Sequence, residues 1–312
     1  MSMPTLLDIA KANGSDAVAG LIDEAARTHP ELTLGFARPI KGLNYKTLVR
    51  TGVPTGGSFR AANAGVAAVK GTYENRLVEC FIFNKRWECD KAVADRYEDG
   101  AEAYIALEAS AIVEAGAQDL CQQFYYGRNA VFGNIAGFPG LLDAYDATNM
   151  VVDATGTTDN TCSSAWLVRF GPKDAGWVWG NNGGLEMEDA REESITPDPT
   201  NAPTARLTAY IQELLAYPGL QVGSINSLVR IKKLTADAGK GLTDALIYAA
   251  LAKFPAGIVP DVILCSRRSV QQLRASRTAT NATGAPAPLP TEVEGIPVRV
   301  TDALSNIETL TL

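Results

Sequence analysis

The side chains that most often perform catalysis are scarce in this sequence. Histidine occurs once among 312 residues, at His29, so a Ser-His-Asp triad would have to use that one ring. The five cysteines are widely spread and include no CxxC pair, a spacing that is typical of zinc sites. We therefore expect His29 to be a capping or surface residue, and we predict no catalytic residue, no metal ligand and no cofactor.

One acidic stretch could still supply hydrolytic or metal chemistry. Its carboxylates are Glu186, Glu188, Asp189, Glu192 and Glu193. Carboxylate oxygens bind divalent cations, and paired carboxylates can act as general acid and base. A solvated run of charges is the more frequent explanation of such a cluster. A metal-dependent hydrolase remains open as an alternative.

Two further patterns could indicate a ligand-binding function. The segment 239–243, Gly-Lys-Gly-Leu-Thr, is similar to a phosphate-binding lysine loop, but Leu234 replaces its first glycine and a glycine follows the lysine. Trp166, Trp177 and Trp179 could line a ligand cleft, although packing across a hairpin explains them more simply. A turn that opens a helix and a core hairpin are the expected roles, with a monomeric carbohydrate-binding module as a further alternative.

Charge and composition limit the class of partner. Lysine and arginine number 28 against 35 for aspartate and glutamate, a net charge of −7 at pH 7. Such a chain repels a polyanion. This is compatible with a protein that encloses nucleic acid as a container wall, and less so with one that binds its phosphates. The odd, scattered cysteines indicate reduced thiols in a cytosolic chain. We expect neither a signal peptide nor a membrane-spanning segment, because the first thirty residues carry several charges and no long apolar run occurs.

The stretch from Arg50 to Val66 is rich in glycine and contains Pro54. It lies between two β-prone runs, 45–50 and 76–83, and this order predicts a long hairpin that cannot bury itself. A lone two-stranded hairpin is marginally stable in water. We therefore expect it to lie on another molecule, and if that molecule is a second copy of the chain, the protein is a building block.

The elements around this hairpin follow from hydrophobic spacing. Apolar and small side chains recur every three or four residues from Lys91 to Tyr125, and Gly127 follows, so we predict a spine helix on the order of 45 Å long. Before it, we predict helical structure over 4–28, with Ser15 capping a second helix and Pro30 ending it, and then an extended segment.

After the spine helix we predict a hairpin of strands 165–170 and 176–179, a helix over 204–217 and a strand over 227–234. The last eighty residues alternate strands with helices, which indicates a compact second sheet. In that part we predict helix caps at Thr243 and Ser266, and a final strand over 307–312.

This order of elements resembles the major capsid proteins of tailed bacteriophages with the Hong Kong ninety-seven fold, most closely those of podovirus-like phages. The resemblance rests on the order of several short stretches and covers most of the chain from about residue 45. The stretches are Arg50-Thr-Gly-Val-Pro-Thr, Phe59-Arg60, Asn63-Ala-Gly-Val66, Phe124-Tyr-Tyr-Gly127, Phe138-Pro-Gly-Leu-Leu-Asp-Ala-Tyr145, Ser163-Ser-Ala-Trp-Leu-Val168 and Glu294-Gly-Ile-Pro-Val-Arg-Val-Thr-Asp-Ala-Leu304.

The resemblance implies an α+β phage major capsid fold with four parts. These are an N-terminal arm (1–42), an extended β-hairpin loop (43–90), a peripheral domain with the spine helix at about 91–126 and a β-sheet (91–235), and a compact α/β axial domain (236–312). Within the loop, the residues expected to contact neighbouring subunits are Arg50, Pro54, Phe59, Arg60 and Asn63.

The function implied by the resemblance is self-assembly into an icosahedral shell around packaged double-stranded DNA. The expected partners are copies of the chain as hexamers and pentamers, scaffolding, portal and decoration proteins, and DNA held without sequence-specific binding. The expected location is the virion capsid, assembled in the host bacterial cytoplasm. A non-viral compartment shell of the same fold, similar to encapsulins, is the first alternative.

Overall fold

The structure is a computed structural model. It describes residues 3–13, 24–25, 27–57, 59–144, 149–197, 200, 204–280 and 285–312. Its helices are α1 (Leu6–Ala12), α2 (Pro30–Leu34), α3 (Lys91–Ala94), α4 (Ala101–Tyr126), α5 (Leu141–Ala144), α6 (Asp244–Leu251) and α7 (Arg267–Ala279). Its strands are β1 (Ala37–Pro39), β2 (Asn44–Gly52), β3 (Thr72–Glu79), β4 (Phe83–Asp90), β5 (Val151–Asp153), β6 (Ser163–Val168), β7 (Ala175–Trp179), β8 (Glu186–Met187), β9 (Arg191–Ile195), β10 (Leu207–Ala216), β11 (Pro218–Val222), β12 (Leu228–Leu234), β13 (Val262–Cys265), β14 (Glu292–Val293) and β15 (Ile296–Val300).

A six-stranded sheet in the order β14-β15-β13-β6-β12-β5 forms one core. Ile247 of α6 and Leu273 of α7 share a buried cluster with Leu167, Val229 and Ile263 of this sheet. The sheet predicted for the last eighty residues therefore depends on β5, β6 and β12, which come from earlier in the chain. The division of the chain at residue 236 stays a prediction.

The predicted caps of α6 and α7 are confirmed. The Thr243 hydroxyl accepts a hydrogen bond from the backbone N–H of Leu246, and the Ser266 hydroxyl accepts one from Ser269, both at 3.3 Å. The strand predicted at the chain end, 307–312, is wrong. That segment contributes a single bridge to Cys162 and is otherwise irregular.

A second sheet, β4-β10-β8 with β9 beside β10, packs against α4 and α1. The predicted helix over 204–217 is wrong, because this segment is strand β10. It pairs with β4 along one edge and with β8 and β9 along the other. Ala209, Ile211 and Leu214 are buried in this central position. Pairing with distant strands thus overrides the local apolar spacing.

The spine helix is confirmed, with a later start than predicted. Helix α4 has 26 residues, which corresponds to about 39 Å. The predicted helix is divided into the short α3 and α4 by residues 95–100, which are not helical. In this interruption the Glu98 N–H donates to the side chain of Asn13 at 3.0 Å. Gly127 ends α4 with a φ of 52°, as the sequence predicts.

The strands β6 and β7 are present, but they do not form the predicted hairpin. β6 belongs to the six-stranded sheet, and β7 lies between β1 and β11 in a separate three-stranded sheet. Trp177 of β7 stacks on Phe124 of α4, with 5.2 Å between ring centroids, and on Trp179 at 5.9 Å. Core packing between α4 and β7 accounts for these tryptophans.

The N-terminal region combines correct and incorrect predictions. Helix α1 is confirmed, and its Ile9 is buried with Trp87 and Tyr104. The second predicted helix, with its Ser15 cap, lies outside the described residues. Pro30 does not end a helix; it begins α2 at the first helical position, where its missing N–H and fixed φ are tolerated.

Candidate assembly surface

Strands β2 and β3 form a two-stranded hairpin that pairs with no other strand of the described chain. Among the described residues, its contacts with the body of the molecule lie at its base. Val78 and Cys80 pack against Val178 of β7, and the Arg76 guanidinium donates to the carbonyl of Gly223 at 3.2 Å. The Tyr45 hydroxyl donates to Gln221. The hairpin is thus anchored at one end.

The far end of the hairpin carries four of the five predicted contact residues. Pro54 is exposed, and Phe59 is wholly exposed, at 108% of the reference area. Arg60 donates to the carbonyl of Ala64 at 2.7 Å, across a turn in which Asn63 has a φ of 65°. Arg60 is therefore engaged with its own turn.

Arg50 lies in β2 and belongs to a face that the sequence prediction missed. Register places Lys46 opposite Leu77, Leu48 opposite Asn75, and Arg50 opposite Tyr73. Because side chains alternate along a strand and paired residues share a face, these six project from one side of the hairpin. We call Lys46, Leu48, Arg50, Tyr73, Asn75 and Leu77 the outer face of the hairpin.

The outer face is apolar as well as basic, and it is solvent-exposed. Leu48 is 70% exposed, Tyr73 61% and Leu77 50%. Exposed apolar side chains that share one face make this face a candidate interaction surface. The alternation of residues 45–50 was the available signal, but without the register of β3 it does not show which side chains join them.

The acidic stretch does not form a hydrolytic site. Arg191 pairs with Glu188 at 2.9 Å and with Glu193 at 3.7 Å, and Lys91 pairs with Glu192 at 2.5 Å. Glu192 and Glu193 lie on β9 and Glu188 follows β8, and each is exposed with a cationic partner. Neither a metal site nor a carboxylate pair poised for acid–base chemistry follows from this arrangement.

A buried polar network resembles catalytic machinery more closely, yet its groups are satisfied. Glu308 accepts from the hydroxyls of Tyr126 and Ser164, both at 2.6 Å, and pairs with Arg230 at 3.3 Å. Burial and the Glu308 carboxylate raise the pKa of Tyr126 well above its ordinary range. Because Arg230 also donates to Ser164 and to the carbonyl of Leu312, the network fastens the chain end to α4, β6 and β12.

His29 differs from its predicted role. It occupies the position before α2 but makes no side-chain cap, and its side chain is only 12% exposed. Its Nε2 lies 3.1 Å from Oε1 of Glu114 on α4. The ring is therefore a largely buried link between the N-terminal segment and the spine helix, and not a surface residue.

The match to a protein family identifies the role of this architecture. Residues 36–311 match the family described as major capsid protein GP7. The chain belongs to the major capsid protein GP7 family. Its role is that of a structural subunit of a capsid shell, and the capsid protein predicted from the sequence is confirmed.

Solved structures support the same fold for this GP7 family member. A chain of the bacteriophage Epsilon15 structure matches with a TM-score of 0.74 and 21% identity, over 99% of this chain and 97% of that one. The bacteriophage JBD30 capsid matches with a TM-score of 0.50 and 10% identity, over 95% and 97%. No curated protein sequence matches the chain. Among the described residues, no helix is long and apolar enough to cross a membrane.

Proposed function

We propose that this GP7-family subunit builds an icosahedral shell of hexamers and pentamers by laying the outer face of the hairpin across a neighbouring subunit. The observation that carries this proposal is a hairpin held only at its base, with Leu48, Tyr73 and Leu77 exposed. Burying these side chains against a neighbour would stabilise both the hairpin and the contact, at roughly 25 cal/mol per Å² of apolar area.

The basic residues of the hairpin would orient the outer face towards the acidic surface of a neighbouring subunit. Lys46 and Arg50 flank the apolar side chains of the outer face, whereas the whole subunit carries a net charge of −7. A basic strip on an acidic molecule is attracted to the body of an identical copy, which favours lateral association. Weak contacts repeated under closed symmetry then add up to a stable shell.

The net negative charge of the subunit is also compatible with DNA enclosed in the proposed shell. The enclosed polymer would be double-stranded DNA, held by confinement and without sequence-specific contacts, because a wall of net charge −7 has no footprint for phosphates. Scaffolding, portal and decoration proteins would assist assembly in the host bacterial cytoplasm. These partners rest on the family resemblance.

The outer face is tested by one matched pair of substitutions. Leu48→Asn removes an apolar side chain from the outer face, whereas Glu74→Gln changes an exposed residue of β3 on the opposite face. We expect Leu48→Asn to leave a folded subunit whose shell yield, counted by electron microscopy, falls at least about tenfold, the effect of losing about 1.4 kcal/mol per contact. Glu74→Gln should assemble normally. Equal yields from the two variants would contradict the proposed contact.

A further inference from the structure

Three side chains of metal-binding type meet where the N-terminal segment crosses the spine helix. His29 and Glu31 flank the start of α2, and Cys121 comes from α4. One ligand atom from each lies within 4.8 Å of the others. The nitrogen, oxygen and sulfur donors of this group are those that bind Zn²⁺ in proteins.

Two buried polar atoms of this group lack a hydrogen-bond partner among the described residues. Oε1 of Glu31 accepts from the Tyr125 hydroxyl at 2.5 Å, and Glu31 is 0% exposed. The Thr301 side chain and the Cys121 thiol also lie beside this carboxyl, but neither gives Oε2 a partner of good geometry. Nδ1 of His29 is likewise buried and unpartnered. Because buried polar atoms in folded proteins are nearly always paired, two orphans beside one thiol point to a missing ligand.

The surroundings of His29 match those of a metal-binding imidazole. The ring nitrogen that does not bind the metal usually donates to a carboxylate, which fixes the tautomer. Here Nε2 faces Glu114, and Glu114 is itself held by the side chain of Gln118 at 3.0 Å and the backbone N–H of Arg27 at 2.8 Å. This arrangement leaves Nδ1 as the free donor atom.

Charge also favours a divalent cation at this place. Zinc binding would replace the protons of the Glu31 carboxyl and the Cys121 thiol, because a carboxylate and a thiolate buried side by side are costly without a cation. One Zn²⁺ ion offsets both negative charges, so that a neutral unit is buried. The thiolate donor disfavours Mg²⁺ and Ca²⁺, which prefer oxygen ligands.

We propose that His29, Glu31 and Cys121 form a zinc site, completed by a water ligand, that fastens the N-terminal segment to the spine helix. The site departs from the sequence prediction of no metal ligand, because its residues are far apart in the sequence and share no motif spacing. Tetrahedral zinc would hold the donor atoms roughly 3 to 4 Å apart, so a modest closure is required. A cavity of about 110 Å³ that adjoins His29 and Gln118 can supply a water ligand and a route for the ion.

Cobalt titration of the full-length protein tests the site directly. Chelator-treated subunit is titrated with Co²⁺, which takes the zinc geometry and reports a thiolate ligand by a charge-transfer absorption. We expect one equivalent of Co²⁺ with that absorption, displaced by Zn²⁺ and lost in Cys121→Ser. Cys265→Ser is the matched control, because Cys265 is also a wholly buried free cysteine, and it should keep the signal. Glu114→Gln should weaken zinc affinity about 10- to 100-fold.

Several outcomes would overturn the proposal. Cobalt bound without the thiolate absorption would show an adventitious surface ion only, and no stoichiometric binding at all would leave the orphaned atoms to another explanation. Equal loss of the signal in Cys121→Ser and Cys265→Ser would also contradict it. If Cys121→Ser fails to fold, the spectrum of the unaltered protein decides alone. None of these results bears on shell assembly, which is scored separately by microscopy.

Discussion

Charged side chains are fully enclosed at the junction of the spine helix and the chain end, where Arg230 is 4% and Glu308 1% exposed. Such a pair contributes little net stability, because desolvation offsets its attraction. Removing one partner is different, since the other charge then remains buried and uncompensated. The network therefore fixes how the C-terminal segment docks and makes that docking sensitive to single substitutions.

Arg230→Met tests this sensitivity. It leaves Glu308 buried without its cation, and we expect the free energy of unfolding to fall by about 3–5 kcal/mol, measured by urea denaturation of the unassembled subunit. Asp119→Asn is the control, because Asp119 pairs with Lys85 at an exposed position, at 2.7 Å. Exposed pairs contribute about 0–1 kcal/mol. Similar losses in both variants would contradict the structural role assigned to the network.

The buried thiols predict a dependence of stability on alkaline pH. Burial raises the pKa of Cys80 and Cys89 to about 11 and that of Cys265 to about 12. Unfolded thiols titrate near 8.5. Because the folded pKa lies above the unfolded one, the stabilisation is complete below about pH 8.5 and is lost as pH rises towards 11 to 12.

We therefore expect the free energy of unfolding, measured with reductant present, to be lower at pH 10 than at pH 7.5. Tyrosine reinforces this direction, because burial also raises the pKa values of Tyr104, Tyr125 and Tyr126. Replacing Cys265 with alanine should make the decline between these pH values shallower. Stability that is constant or rises with pH would contradict the burial of these groups.

At the scale of elements, the spine helix depends on a tight crossing at its end. Gly127 has a φ of 52°, and a Cβ atom there would lie 1.9 Å from Oδ2 of Asp143 and 2.1 Å from the backbone nitrogen of Gly140. Only glycine allows the loop 128–140 to fold back against the last turn of α4. The end of the spine helix therefore packs so closely against the segment before α5 that no side chain fits at Gly127.

Gly127→Ala should be more costly than an alanine placed at an unobstructed glycine. The left-handed backbone alone costs about 1–3 kcal/mol for a residue with a side chain. Gly239 has a φ of 75° with nothing within 4 Å of its Cβ position, so Gly239→Ala measures the cost of a positive φ without a steric clash. We expect thermal unfolding to show the larger loss for Gly127→Ala. Equal shifts in melting temperature would contradict the close crossing.

Local signals predicted those elements whose ends are fixed by their own residues. Thr243 and Ser266 cap their helices because a hydroxyl needs only the N–H groups of the next turn. By contrast, β10 is spaced like a helix and becomes a strand through pairing with β4 and β9, which lie far from it in the sequence. In the same way, β6 and β7 were correctly predicted as strands, but they lie in different sheets although they are adjacent in the sequence.

The assembly surface was predictable only in part, for the same reason. The glycines and Pro54 predicted where the hairpin ends, because glycine and proline act on the local backbone. Phe59 and Arg60 lie in this end and were predicted with it. The outer face needs the register between β2 and β3, which single-strand alternation does not give. Leu48, Tyr73 and Leu77 were therefore not among the predicted contact residues.

For the whole molecule, exposed apolar side chains are concentrated in the hairpin. Of the twenty large apolar residues that are exposed in the described chain, seven lie between Asn44 and Glu79. In an isolated subunit these side chains stay exposed to water, whereas the proposed contact with a neighbouring subunit would bury them. The capsid role shown by the family thus has a physical counterpart in where the chain leaves its apolar surface uncovered.

Deletion of residues 50–66 tests the hairpin's role in assembly most directly. The deletion removes the end of the hairpin, with Arg50 and the four predicted contact residues beyond it, but leaves the six-stranded sheet and the β4-β10-β8 sheet intact. We therefore predict a soluble, folded subunit, confirmed by circular dichroism, that forms no shells under negative-stain electron microscopy. The unaltered chain, prepared in the same way, should form them. Intact shells from the deletion variant would contradict the account.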